Sequence, residues 1–532
     1  MDHADLSRRR FLHYAAAMGL AGPVLSACGG SDASIVAEAA PTATVLPDPT
    51  ATAVQAPTAT QTPDPTATPV PDPTAVPDPT AVPDPTGVVF DASTGYWQQG
   101  GYLPVTDELT ESNLVVRGAI PTALNGLYVR NGSNGISETA HWFFGEGMVH
   151  GVEIRDGQAL TYRNRYVRTP VYEAAISGGG GGLEIPGQVN SQSNVSVVSH
   201  GGKLWSLGEI GWPFEIDPAD LSTRGPVDFG GALGNNLTAH PKVDPATGLM
   251  HAFGYGVVSP PFLTYYVISA DGSEILHSTP IDVGASTMIH DFAITDRDVI
   301  FWEGPVMFDL QLAIGGEPIP YVWDESYGAR FGVMPLGGTG DQIQWFEVDP
   351  MFIFHGTKAH RRGDTIEVYA SKLNDFFKRR DGLDGPSLLT RFTIDPTAGS
   401  VGEELLHDLP LDLPSYDRRY LTDAPDRAWY VTTQQSDKGN VWFEGITGYD
   451  FADGSLDRWV SGPDLQPNEA LFVPESDTAD RNEGWLLSYA WDRTTDRSEL
   501  VILDPSDLAS GPVAAIELPQ RVPFGFHAAF HR

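Results

Sequence analysis

From about Val88 to Arg532 the chain is a succession of short runs rich in β-branched and aromatic residues, with almost no helical periodicity. The runs include Gly126–Arg130, Leu160–Val167, Leu263–Ile268, Thr365–Tyr369, Ala428–Thr432, Gly484–Tyr489 and Glu499–Leu503. Turn signals punctuate them, as at Asp156-Gly157, Asp271-Gly272 and Ala246-Thr247-Gly248. Such a pattern predicts strands that pair with their neighbours. Over roughly 440 residues this predicts an all-β architecture. At that length closed radial repetition, a β-propeller, protects edge strands better than one open sandwich does.

The preceding segment cannot fold this way. Between Gly29 and about Pro85 the chain is mostly Pro, Thr, Ala and Asp, with a near-repeat at Val70–Thr80. It lacks the apolar residues needed to offset ordering entropy, which predicts a disordered, extended stalk. Further upstream, Ser7-Arg8-Arg9-Arg10-Phe11-Leu12 precedes a short apolar stretch and then Leu25-Ser26-Ala27-Cys28. Paired arginines before a short apolar segment read as a twin-arginine export signal. Leu-Ser-Ala-Cys resembles the lipobox of bacterial lipoproteins, with acylation expected at Cys28. The expected organisation is a signal peptide at 1–27, a lipid-anchored linker at 28–87 and a folded domain at 88–532. Export by this route then leaves the protein tethered to the outer face of a bacterial cell membrane or at the cell surface. Cys28 is the only cysteine, so no disulfide framework exists. A formal net charge of −37 argues against nucleic-acid binding, which needs a basic footprint.

Fourteen histidines are available for chemistry. Four end or interrupt apolar, strand-like runs: His240 in Asn236–Asp244, His290 in Ser286–Phe292, His355 in Met351–Gly356 and His527 in Arg521–His527. Taken singly, each reads as a hydrogen-bonded core histidine. Their separations in sequence exclude a local metal motif such as His-Glu-x-x-His. Gly178–Gly182 lacks the Lys-Ser/Thr of a phosphate loop and reads as a flexible segment.

The residues around those four histidines resemble the iron-binding motifs of the carotenoid cleavage oxygenase family, which also includes stilbene-cleaving dioxygenases and a retinoid isomerase. The resemblance extends to Tyr128-Val129-Arg130-Asn131-Gly132, to His141–His150 and to Glu469–Pro474. It runs in order along nearly the whole domain. It implies a seven-bladed β-propeller, capped by loops over an axial non-haem Fe(II), one per chain, held by His240, His290, His355 and His527. Neutral ligands leave the metal its full charge, so carboxylates one step out would fix each imidazole tautomer. By motif position these are Glu209, Asp412 and Glu469. Asp412 replaces the usual glutamate, and its shorter reach predicts that His355 or its partner strand shifts or that a water bridges the gap. His360 follows in an altered segment, but Phe352-Ile353-Phe354 points to His355 as the ligand. His141 and His150 read as structural, and His531 as surface.

The implied reaction is oxidative cleavage of a C=C bond by O₂ into two carbonyl products, without an organic cofactor. Stilbene cleavers hold a phenol with a tyrosine and a lysine near the start of the domain. Between Val88 and Gly202 there is no lysine, which favours a carotenoid or apocarotenoid over a stilbene-type, lignin-derived aromatic. A lipid anchor suits such an apolar, membrane-dissolved substrate. A surface propeller that only binds a glycan or protein would leave the histidine motifs unexplained. An isomerase or hydrolase on the same site would show no O₂ uptake.

Overall fold

The computed structural model describes residues 96–532 apart from 137–140, 179–188, 235, 316, 318, 379–384 and 436–440. The signal segment, Cys28, the stalk and all but the first glycine of Gly178–Gly182 lie outside the described residues.

The described chain is all-β with few, short helices, and every strand pairing in it is antiparallel. Leu263–Ile268 shows why: its β-branched and aromatic residues are buried on both faces, between Met250–Tyr255 and Ile275–Ile281. Tight turns close the hairpins. At Asp156-Gly157 both residues take positive φ, 51° and 74°, the twist that matches flanking strands.

The sheets follow one another along the chain. Ser196–His200 to Thr223–Pro226, Lys242–Val243 to Ile275–Ile281, and Phe292–Ile294 to Gln344–Val348 each make a four-stranded sheet. Phe352–Arg362 to Leu456–Val460 forms a run of seven strands, and Ser400–Ser415 is its middle member. That long strand shifts register between Asp412 and Ser415. Two further sheets join the beginning of the described chain to its end. Val116–Gly118 pairs with Pro512–Glu517, and Gly126–Ser133 pairs with the final strand, Ala528–His531. This ring closure is the device by which a propeller shields its first and last strands.

Among the described residues no helix is long and apolar enough to cross a membrane.

Candidate metal centre and apolar cavity

The four histidines occupy equivalent places. His240 and His290 each lie two residues before the edge strand of a sheet, Lys242–Val243 and Phe292–Ile294. His527 immediately precedes the edge strand Ala528–His531, and His355 lies near the start of the edge strand Phe352–Arg362, beside a register shift between Ile353 and Gly356. Regular pairing has not begun, or has lapsed, at each of these points, so the side chains can leave the sheet and converge.

They do converge. One nitrogen from each ring lies within 4.8 Å of the others. Ring centroids are 4.5 Å apart for His240 and His290, 4.4 Å for His240 and His527, and 5.0 Å for His355 and His527. Three rings bear a carboxylate on Nδ1. Glu209 Oε2 is 2.7 Å from His290, Asp412 Oδ1 is 2.7 Å from His355, and Glu469 Oε1 is 2.8 Å from His527. A carboxylate accepting from Nδ1–H leaves the Nε2 lone pair facing inward.

The carboxylates are themselves oriented. The Tyr255 hydroxyl donates to Glu209 Oε1 at 2.7 Å, and Ala528 N–H donates to Glu469 Oε2 at 2.7 Å. Ser387 Oγ–H and Leu413 N–H, each at 2.8 Å, donate to the two oxygens of Asp412. Asp412 thus meets His355 directly, without a bridging water. The strand shifts register after Asp412, and Leu413 adopts a φ of 52°.

Burial pushes the His240, His290 and His527 imidazoles well below or below their usual value, which keeps them neutral. Burial pushes the Glu209 carboxyl up to about 8, partly offset by the Tyr255 hydrogen bond. It also raises Asp412, but the His355 ring and the hydrogen bonds to its oxygens outweigh it and hold that carboxyl low.

The donor set fits a divalent transition metal. His355 Nε2 is buried with no hydrogen-bond partner, and His240 Nε2 faces His290 Nε2 at 2.9 Å. Neutral imidazole nitrogens gathered in this way are ligands for zinc, copper, iron or nickel.

The motif at Tyr128–Gly132 cradles the segment that carries His527. Asn131 N–H donates to the His527 carbonyl at 3.2 Å, and Phe526 N–H donates to the Asn131 carbonyl at 2.9 Å. The fully buried Arg130 donates to the Pro523 carbonyl and, at 3.3 Å, to Asn468 Oδ1, next to Glu469.

An apolar cavity opens beside the cluster. His290, His355 and His527 form part of its wall, and Trp142, Phe143, Phe144, Phe354, Phe377 and Phe526 supply much of the rest. The Phe354 ring packs on His290 at 4.4 Å, and Trp142 packs on Phe526 at 4.6 Å.

Among the described residues the other histidines lie outside the cluster. His141 packs against Trp97 at 4.7 Å, behind the aromatic loop, and His150 bonds the Tyr162 hydroxyl at 2.9 Å within a sheet. His360 lies 3.5 Å from Glu367, further along its strand. His531 departs from the expected surface position: it is half-buried, 2.9 Å from Ser199 Oγ, because the last strand is stitched into the first sheet. Tyr255 and Ser387 were not legible in the sequence as partners of the carboxylates. Each lies far along the chain from the carboxylate it orients, in a run that reads as ordinary strand or loop.

The chain matches the family model described as retinal pigment epithelial membrane protein over residues 102–532. It is 33% identical over 484 residues to a carotenoid cleavage oxygenase of Mycobacterium tuberculosis, covering 81% of this chain and 96% of that protein. It is 33% identical over 487 residues to carotenoid 9,10(9′,10′)-cleavage dioxygenase 1 of Arabidopsis thaliana, covering 82% and 89%. Among solved structures it resembles the lignostilbene dioxygenase of Pseudomonas brassicacearum, with a TM-score of 0.75, 26% identity, and coverage of 82% of this chain and 98% of that one.

Proposed function

The chain belongs to the carotenoid cleavage oxygenase family and is an oxygenase of that type, and from this premise we propose that it is a non-haem Fe(II) dioxygenase cleaving a carotenoid or apocarotenoid C=C bond. The overall change balances as one alkene and one O₂ giving two carbonyl compounds. The observation that carries the proposal is four imidazole nitrogens within 4.8 Å of one another, three of them from rings that line an apolar cavity. His240, His290, His355 and His527 would hold one iron per chain, which supplies the binding and reduction of O₂ that the protein's own side chains cannot. Glu209, Asp412 and Glu469 hold three of the rings in the tautomer that turns Nε2 inward. The aromatic wall takes up a flat, apolar polyene and keeps water from the reacting bond.

Seven blades is the count we infer. The seven-stranded run reads as two blades sharing Ser400–Ser415, and with the five other large sheets this makes seven. The loop carrying Trp142, Phe143 and Phe144 would belong to the cap over the centre.

A second reading is supported by the likeness to lignostilbene dioxygenase: cleavage of a stilbene-type aromatic at the same centre. The absence of lysine between Val88 and Gly202 weighs against it. For location, we propose twin-arginine export and a lipid anchor at Cys28, supported by the sequence of residues 1–28.

Incubating the iron-loaded protein in air with carotenoids, apocarotenals and hydroxystilbenes, and reading products by mass, tests these proposals together. A pair of aldehydes from a carotenoid or apocarotenal is the expected result. Cleavage confined to stilbenes would transfer the assignment to the second reading, and metal loading without cleavage of any compound would count against both.

A further inference from the structure

Asp291 directly follows His290 and is buried. Its two oxygens accept from three donors. Lys242 Nζ reaches Oδ1 at 2.6 Å, Phe292 N–H reaches Oδ1 at 2.8 Å, and Gly356 N–H reaches Oδ2 at 2.9 Å. Lys242 stands two residues beyond His240, and Gly356 stands next to His355. One carboxylate therefore joins three segments, each carrying a different histidine of the cluster, from three different sheets.

The pair is well enclosed. The Lys242 and Asp291 side chains are 11% and 2% exposed. The lysine ammonium also lies 5.8 Å from the Phe292 ring centroid. A buried ion pair of this kind adds little net stability over an apolar substitute, because desolvation consumes most of the attraction. What it supplies is registry, since a doubly accepting carboxylate fixes the separation of everything bonded to it. His527 is held otherwise, by the Asn131 backbone and Arg130.

We propose that Asp291, with Lys242, is a positioning residue that ties the His240, His290 and His355 segments together, setting three of the four nitrogens before a metal arrives. This rests on the reading of the cluster as a metal centre. An amide at 291 would retain one acceptor oxygen and turn an NH₂ group toward Gly356 N–H or Lys242, cutting one of the ties.

The test uses full-length protein stripped of metal by chelation and titrated with Co(II), whose visible bands report ligand geometry. Asp291→Asn should fold, by circular dichroism, yet bind Co(II) at least tenfold more weakly and with shifted bands. Lys242→Arg keeps the tie and should match wild type, whereas Lys242→Met should shift the bands. Wild-type affinity and unchanged bands in folded Asp291→Asn and Lys242→Met, whatever their melting temperatures, would overturn the proposal. If Asp291→Asn fails to fold, the two Lys242 variants decide it. A wild-type protein that binds no Co(II) would overturn the metal reading itself, and this inference with it.

Discussion

Asp412 carries one methylene fewer than Glu209 and Glu469, yet its oxygen comes equally close to its histidine, at 2.7 Å. The identity of the carboxylates was legible from their motifs, but the way Asp412 makes contact was not. The contact is made where the strand shifts register and Leu413 takes a positive φ, features of strand pairing that the local sequence does not display. Removing the acceptor frees the His355 ring, so Asp412→Ala should weaken Fe(II) binding about 10- to 100-fold, measured by equilibrium dialysis under argon. Asp412→Glu should not improve on wild type, because the contact is already short. Lys358 offers a second test at this scale. It is 3% exposed, and burial pushes its ammonium down to about 8 from the usual 10.5. The unfolded chain therefore binds more protons than the folded one between pH 8 and 10.5, and stability should rise across that window. Relative to Lys358→Met, the wild type should recover about 3 kcal/mol as the pH rises from 8 to 10.5 in denaturant titrations. A constant difference would contradict the burial argument.

Strands read well from sequence because local pattern sets them. Leu263–Ile268 and Glu499–Leu503 lie within strands of the structure, as their β-branched and aromatic residues predict. What the pattern could not reveal is that each histidine lies close to the start of an edge strand, or that Asp291 joins three of these segments. Both facts depend on which strands lie side by side. Nor could apolar cavity walls be told from core, since Phe354 and Phe352 differ in the sequence only by position. Close approach between elements gives a further test. A Cβ at Gly254, in the strand Met250–Tyr255, would lie 1.9 Å from the Asn236 carbonyl oxygen, on the segment leading to His240. Gly254→Ala should cost about 1–3 kcal/mol in thermal unfolding and weaken metal binding as that segment moves. Gly402→Ala, where the nearest atom is 3.9 Å away, should be close to neutral.

At the scale of the whole molecule, ring closure brings together residues from His240 to His527, which no short motif could unite. The all-β class was legible because no helical periodicity competed with it. The metal centre was legible only because four motifs in order resembled those of one family, since each histidine alone reads as core. The proposed tether has its own test: Cys28→Ala should move the exported protein from the membrane fraction to the soluble one while leaving metal content unchanged. The central claim is that the centre inserts both atoms of O₂ across a C=C bond. It is tested most directly by single-turnover cleavage under ¹⁸O₂, with the aldehydes reduced at once to alcohols to prevent exchange with water. The account predicts one ¹⁸O atom in each of the two products. Label in only one product, or cleavage without O₂ uptake, would contradict it.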